Sequence, residues 1–279
     1  MPATAFYKRG LATGGVQGPT KGVWADAPVL AVIEDPSLGL YIHEDWERKI
    51  QLATMVTTAN ENGYYPLLSA GCTAIGNTTT AMTTASARGV RNYMILTTDG
   101  TNNLACGLQY AGMTSTPAGI AVMDTGYGRM WYESIVSVSN VTTANLNALI
   151  GLRDITASVV TDMANEGADI ADIDFVGFAV LHDDGDGPDC IYQTTGSAFA
   201  TVKSAAATLA TSTWFKFGIT FSDPYVTYFI NGVNVGQVDI NTAGFPDGEV
   251  LTPYWFIKDD DAVAMTMNVG WWRFLQLYE

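Results

Sequence analysis

The sequence predicts a mainly β protein whose larger part forms a two-sheet antiparallel sandwich, and three observations support this fold class. Hydrophobic residues make up 48% of the 279 residues, so the chain can bury a sizeable core. β-Branched and aromatic residues are common, whereas the charged residues and Leu that favour helices are scarce. From about residue 64 onward, short runs of these strand-forming residues are separated by turn residues, which is typical of sandwiches.

The individual strands follow from those runs and the turn signals between them. The predicted strands are Asn92–Thr97, Ala105–Tyr110, Gly119–Met123, Trp131–Val138, Phe175–Leu181, Cys190–Thr194, Thr213–Phe221, Val226–Ile230, Val233–Val238, Tyr254–Ile257 and Met265–Tyr278.

The hairpin over residues 225–238 is the best-defined element. Its turn, Asn231-Gly232, suits a type I′ turn, which needs positive φ at both central positions. A two-residue loop pairs Ile230 with Val233, and an unbroken ladder then pairs Tyr228 with Val235. The preceding strand alternates Phe and Ile with polar or small residues, so we expect one buried face and one half-exposed face.

The N-terminal part differs from the rest of the chain. A Gly-rich run over residues 10–22 has no period of 2 or 3.6 and predicts an extended arm. Apolar residues such as Trp24 and Val32 indicate that the arm covers a surface of this chain or of a neighbour. We therefore divide the chain into an arm over residues 1–60, with a helix from Asp45 to Ala59, and a sandwich over residues 61–279. A second short helix is predicted from Thr143 to Leu152.

Charge and cysteine content exclude several classes of protein. The net charge is −15, and no basic run is longer than Lys8-Arg9, so we expect no nucleic-acid partner. No apolar run follows those two residues and no stretch approaches eighteen apolar residues, so we expect neither a secretory signal nor a membrane partner. Three dispersed cysteines, Cys72, Cys106 and Cys190, indicate free buried thiols.

Several strands resemble those of a known family. The run Trp214–Phe221 followed by Val226–Val233 resembles the central meander of concanavalin A-like and laminin-G-like jelly rolls. Met130–Val138 resembles the family's outward strand, and Gly270–Glu279 resembles its last strand, which returns beside the first. The resemblance covers roughly residues 64–279 and implies a jelly-roll sandwich, a fold that hosts lectins, glucanases, adhesion modules and viral structural proteins.

An arm attached to an acidic, cysteine-poor jelly roll is also similar in organisation to the head decoration (cement) proteins of tailed phages. This resemblance implies a structural virion protein that binds and stabilises the head lattice, and not an enzyme. In that case its partner is the major capsid protein, and we expect it to form a homo-oligomer, specifically a trimer. It is expected on the capsid surface after assembly in the host cytoplasm. The alternatives are a carbohydrate-binding module or adhesin, and next a glucanase.

The glucanase alternative requires two carboxylates across a cleft. The nearest match is Asp172 and Asp174, which are two residues apart and so share one strand face. The run around them contains no Glu, whereas glucanases of this fold carry Glu-x-Asp-x-x-Glu. It also precedes the strand at Phe175 as a turn does. Glu133 lies on a predicted strand and is expected to be a satisfied or rim carboxylate.

An acidic loop is the sharpest local feature. Asp183, Asp184, Asp186 and Asp189 lie within seven residues, with Gly to permit tight turning, and could supply oxygen ligands to calcium. A solvated hairpin tip is the competing interpretation, and no other cofactor is expected. Zinc is nearly excluded because only two histidines exist.

Aromatic residues carry the glycan-binding alternative, because that function requires rings exposed beside polar groups. Seven tryptophans are available. The adjacent pair Trp271-Trp272 must point to opposite faces of a strand, so one ring can face outward. Packing in the core or at a subunit interface is the competing use of these rings.

Overall fold

The computed structural model describes residues 21–46, 63–68, 73–75, 93–98, 104–110, 119–139, 146–155, 164–165, 169–181, 187–259 and 263–278. These residues form two antiparallel sheets that pack against each other, which confirms the predicted mainly β sandwich. The strands are numbered β1 to β18 in chain order.

Sheet A has eight strands, and the C-terminal strand lies near its centre. The order across the sheet is β16 (Val233–Asp239), β15 (Tyr225–Ile230), β14 (Phe215–Ser222), β7 (Met130–Val138), β18 (Thr266–Leu277), β4 (Met94–Thr97) and β3 (Thr73–Ile75). The eighth strand, β1 (Gly39–Glu44), pairs with the second half of β18. The last strand therefore lies beside the first, as the resemblance implied.

Sheet B also has eight strands. Their order is β13 (Ala200–Lys203), β12 (Asp189–Gln193), β11 (Phe175–Val180), β8 (Leu146–Asp154), β17 (Val250–Asp259), β5 (Ala105–Tyr110) and β2 (Tyr64–Leu68), while β6 (Ala121–Val122) pairs with β17. Two short strands, β9 (Ala164–Asn165) and β10 (Asp169–Ile170), pair with each other.

The core between the two sheets is apolar, and several of its polar groups bond across it. The indole nitrogen of Trp255 in sheet B donates to Ser134 of sheet A at 2.9 Å. The hydroxyl of Tyr228 in sheet A donates to the carbonyl oxygen of Ile191 in sheet B at 3.0 Å. Such bonds remove the cost of burying polar groups and fix how the sheets face each other.

Residues 21–46 lie against sheet A. They form two short helices, α1 (Lys21–Trp24) and α2 (Val29–Glu34), a 3₁₀ turn (Pro36–Leu38) and β1. Because β1 is a strand of sheet A, the sandwich includes part of the predicted arm. The boundary at residue 60 stays a prediction. Residues 1–20 and the predicted helix beyond Trp46 lie outside the described residues.

Two local predictions are wrong. Residues 146–152, predicted as part of a helix, belong to β8. This strand is buried on both faces and so lacks the alternation that separates strand from helix in a sequence. In the hairpin, Asn231 and Gly232 have positive φ as predicted, but an extra residue in β16 places Tyr228 opposite Gly236 instead of Val235.

The core face predicted for that hairpin's first strand is confirmed, because Val226, Tyr228 and Ile230 are buried. Cys106 and Cys190 are buried free thiols, as expected, and burial raises the pKa of Cys190 to about 12. Cys72 lies outside the described residues. No helix in the described part of the chain is long and apolar enough to cross a bilayer.

Candidate functional site

The outer face of sheet A divides into two regions. In the covered half, residues 23–32 pack on the sheet; the apolar members of this cluster are Val23, Trp24, Ala27, Val29, Val32, Trp131 and Leu275. In the aromatic half, Ile135 and Trp271 pack against the half-buried rings of Tyr93 and Trp214. These two names are used below for these two clusters.

The covered half is closed by specific contacts. The indole nitrogen of Trp24 donates to Glu133 at 2.8 Å, and both residues are buried. Val23 lies against Gly218, where an added Cβ would be only 2.8 Å from a Val23 methyl group. The N-terminal segment therefore fits a surface that β7 and β14 leave open for it.

This cover explains why part of the outer face of β14, which its alternation predicts to be half-exposed, is buried. Gly218 and Lys216 are buried there, whereas Thr220 stays half-buried. Lys216 on the outer face is only 7% exposed. Burial lowers the pKa of Lys216, and the negative charge of Glu133 acts in the opposite direction. Glu133 was expected to be a satisfied or rim carboxylate, and its bond to Trp24 makes it a satisfied one.

An arginine closes the edge of the covered half. Arg129 forms an ion pair with Asp26, and its guanidinium lies 4.8 Å from the centre of the Trp131 ring. The indole nitrogen of Trp131 donates to the same Asp26 at 3.1 Å. One carboxylate from the N-terminal segment thus binds an arginine and a tryptophan of the sheet.

The aromatic half has no such cover among the described residues. Tyr93 lies directly before β4, and Trp214 lies directly before β14. In the sheet, β7 and β18 lie between these two strands. Two strands three places apart are roughly 14 Å from each other. The two rings nevertheless meet edge to face, with their centres 5.9 Å apart, so they reach across the sheet above Ile135 and Trp271.

Polar side chains continue this surface along the same strands. Asn268 donates to the hydroxyl of Ser137 at 3.1 Å, and the hydroxyls of Thr97 and Thr266 are 3.4 Å apart. Asn268, Thr97 and Thr266 are only half-buried. The aromatic half therefore combines rings with amide and hydroxyl groups that can still bond to another molecule.

Arg273 lies beside the aromatic half. Its guanidinium is 5.7 Å from the centre of the Trp271 ring, and its buried Nε has no hydrogen-bond partner among the described residues. Its strand neighbours are Glu133 on β7 and His43 on β1. Partial burial lowers the pKa of His43 and the positive charge of Arg273 lowers it further, while the negative charge of Asp45 acts in the opposite direction.

The tryptophan pair behaves as the sequence predicted. Trp271 points to the outer face and Trp272 into the core, where its indole nitrogen donates to the Tyr64 hydroxyl at 2.8 Å. Neither ring is widely exposed, with 7% for Trp271 and 0% for Trp272. Of the seven tryptophans, Trp214 alone is half-buried rather than buried.

The carboxylates considered for glucanase chemistry hold a turn. Asp174 accepts hydrogen bonds from the Thr194 hydroxyl at 3.0 Å and the Thr195 backbone at 2.8 Å. Asp172 accepts one from the backbone of Gly196. Neither residue lies in a strand, and both side chains bond to residues 194–196. They fasten the turn between β12 and β13.

The calcium prediction is only partly within the described residues. Asp189 accepts a hydrogen bond from the backbone of Ala205 at 2.7 Å and is 5% exposed. Asp183, Asp184 and Asp186 lie outside the described residues. Where the structure describes side chains, no group of three metal-ligating residues converges. Calcium binding by this loop stays a prediction.

No protein-family model and no curated protein matches the sequence. Solved structures do resemble the fold. A protein of unknown function from Shewanella oneidensis MR-1 is 11% identical, with a TM-score of 0.52 over 100% of this chain and 95% of that one. The Emp47p carbohydrate recognition domain is 11% identical, with a TM-score of 0.53 over 87% of this chain and 98% of that one.

An enzyme has the same architecture. A glycoside hydrolase family 16 endo-glucanase from Bacteroides ovatus is 10% identical, with a TM-score of 0.50 over 84% of this chain and 99% of that one. Similarity at this level of identity shows the fold alone. The chain therefore has the concanavalin A-like jelly-roll fold that the sequence resemblance implied.

Proposed function

We propose that this protein is a non-catalytic glycan-binding sandwich and that the aromatic half of sheet A is its binding surface. The observation that carries the proposal is the meeting of Tyr93 and Trp214 above Trp271, on an outer face that the N-terminal segment covers elsewhere. One face of a pyranose ring presents C–H groups, which pack against aromatic rings. Exposed hydroxyls of the same sugar need hydrogen-bond partners.

The polar groups beside the rings can supply the hydrogen bonds that sugar hydroxyls need. Asn268 offers an amide, and Thr97 and Thr266 offer hydroxyls, all on rigid strands. A few placed polar groups next to an apolar surface are the usual composition of a small-molecule site. The fold shared with a carbohydrate recognition domain is compatible with this function, although it does not by itself support any one ligand.

The contacts of the acidic residues favour binding over hydrolysis. A general acid and a second carboxylate must face the substrate. Glu133 lies beneath Trp24, while Asp172 and Asp174 are bonded to a turn. None of the three therefore faces the aromatic half with an available oxygen as hydrolysis requires.

A glycan array tests the proposal. The full chain should bind a subset of glycans, and Trp214→Ala should reduce the signal at least about tenfold, since it removes a large half-buried ring from the binding surface. Tyr127→Ala is the matched control, because Tyr127 is an aromatic residue that is 49% exposed in a turn outside the aromatic half. An array without hits, or equal losses in both variants, would contradict the proposal.

A capsid decoration protein is the second candidate. The observation that favours it is the anchoring of residues 21–46 on sheet A, which gives the preceding residues a fixed origin for contacts with a neighbouring subunit. In this case the protein forms a trimer and binds a major capsid protein. Light scattering of the purified chain and cosedimentation with phage heads test this candidate, and a monomer that stays in the supernatant would argue against it.

A further inference from the structure

All three arginines among the described residues lie on aromatic rings. Arg129 lies 4.8 Å from the centre of Trp131, and Arg153 lies 4.9 Å from the centre of Tyr254. Arg273 lies 5.7 Å from the centre of Trp271. A guanidinium over a ring keeps its N–H groups at the edges, where they can still bind an anion.

Two of these arginines also have a carboxylate partner, and among the described residues the third has none. Arg129 pairs with Asp26, and Arg153 pairs with Asp154 at 3.1 Å. No ion pair within 4.0 Å joins Arg273 to any acidic residue in the part of the chain that the structure describes. Among the described residues, the buried Nε atoms of both Arg129 and Arg273 have no hydrogen-bond partner, so what distinguishes Arg273 is the missing carboxylate, which leaves its charge and its buried donor without a partner.

The nearest acidic residue in the sheet is already occupied. Glu133 is opposite Arg273 in the strand register, but its carboxylate accepts the indole N–H of Trp24 at 2.8 Å and interacts with Lys216. On the other side, the neighbours of Arg273 are Tyr41 and His43 of β1, and neither of them is a carboxylate.

We infer that the aromatic half takes an acidic saccharide whose carboxylate binds Arg273 while a sugar ring packs on the neighbouring aromatic rings. This inference rests on the proposed glycan-binding function and names its ligand class. The planar fork of arginine matches a carboxylate through two parallel hydrogen bonds. The ligand thereby supplies to Arg273 what Asp26 supplies to Arg129 and Asp154 supplies to Arg153.

The overall charge of −15 does not prevent such binding. At physiological ionic strength, charges farther apart than about 8 Å are largely screened from each other. The groups next to the bound carboxylate therefore decide whether it binds. Around Arg273 these are Tyr41 and His43 of β1, Asp45, whose charge acts on His43, and Glu133, which is bonded to Trp24. Selectivity for acidic sugars then comes from one placed arginine rather than from a basic surface.

Matched pairs of saccharides test the inference by titration calorimetry on the full chain. The pairs are trigalacturonate with galactotriose and 3′-sialyllactose with lactose, which differ in whether a carboxylate is present. In at least one pair, the acidic member should bind the unmodified protein at least about tenfold more tightly. Arg273→Gln should abolish that preference, and Arg273→Lys should restore part of it because the charge remains without the fork.

Arg129→Gln is the matched control, since Arg129 lies on a tryptophan in the same way but has Asp26 as its partner. It should leave the preference unchanged. Equal binding of acidic and neutral members, or a preference that survives in Arg273→Gln, overturns the inference while the glycan-binding function stands. If neither pair and no array glycan binds, the proposed function fails together with it.

Discussion

The covered half and the aromatic half of sheet A both place an arginine on a tryptophan, but they complete that unit differently. On the covered half, Asp26 of the N-terminal segment binds Arg129 and Trp131 together. On the aromatic half, Arg273 lies on Trp271 and no described residue supplies the carboxylate. The comparison teaches that the chain itself completes one half, whereas among the described residues the other half has no such carboxylate, and we propose that a ligand supplies it.

The largest expected effect comes from opening the covered half. Trp24→Ala removes an indole that is 3% exposed and leaves Glu133 without its donor. We expect the free energy of unfolding to fall by about 3–5 kcal/mol in urea denaturation. Trp24→Phe keeps much of the packing and loses the hydrogen bond, so it should cost about 1–3 kcal/mol. Unchanged stability in Trp24→Ala would mean that the segment does not hold the face closed.

A smaller effect tests the fit between the segment and the sheet. Gly218→Ala places a Cβ 2.8 Å from a methyl group of Val23, so one of the two must move. We expect a loss of about 1–3 kcal/mol in the same denaturation assay. Val23→Ala makes room for the new methyl group, so the double variant should lose less than the sum of the single losses. Strict additivity would show that the two residues do not touch in solution.

A still smaller effect is expected when Arg129 loses its carboxylate partner and so comes to resemble Arg273. Asp26→Asn keeps an oxygen for the Trp131 indole but removes the ion pair with Arg129. Both side chains of that pair are about half exposed, so we expect at most about 1 kcal/mol of lost stability. The loss should shrink as salt is added, because salt screens the pair. A loss that is large and independent of salt would indicate that Asp26 acts through packing instead.

The smallest expected effect is a change in the pKa of His43, which measures how strongly the charge of Arg273 acts on it. The positive charge of Arg273 lowers the pKa of His43, so Arg273→Gln should raise that pKa towards its ordinary value of 6.5. The chain has only two histidines, so a pH titration followed by NMR resolves both, and His182 serves as the internal reference. A pKa of His43 that falls or stays constant in the variant would place Arg273 away from it.

Much of the sandwich could be predicted from local patterns. All eleven strands predicted from residue 92 onward overlap strands of the structure, because each combines strand-forming residues with flanking turn signals. Four other strands, β1, β2, β3 and β13, lack that signal, and β2 even contains Pro66. The strand β8 was predicted as a helix since burial on both faces leaves no alternation to recognise.

The candidate site was less predictable, because it depends on which strands pair. The sequence offers Trp214 and Trp271 as two of seven tryptophans, and no motif points to Tyr93 or Arg273. The sequence does not reveal that β7 and β18 lie between β14 and β4, which brings Tyr93 to Trp214. Likewise, Glu133 is satisfied through Trp24, which is 109 residues away in the chain.

The contrast between the two halves can be read directly from the indole N–H signals of the seven tryptophans. The measurement is a ¹H–¹⁵N NMR titration with the tightest-binding saccharide from the array or the matched pairs. We predict that the signals of Trp214 and Trp271 shift in a saturable manner, whereas those of Trp24 and Trp131, which donate to Glu133 and Asp26, do not. Shifts at Trp24 and Trp131 with none at Trp214 and Trp271 would contradict a binding surface on the aromatic half.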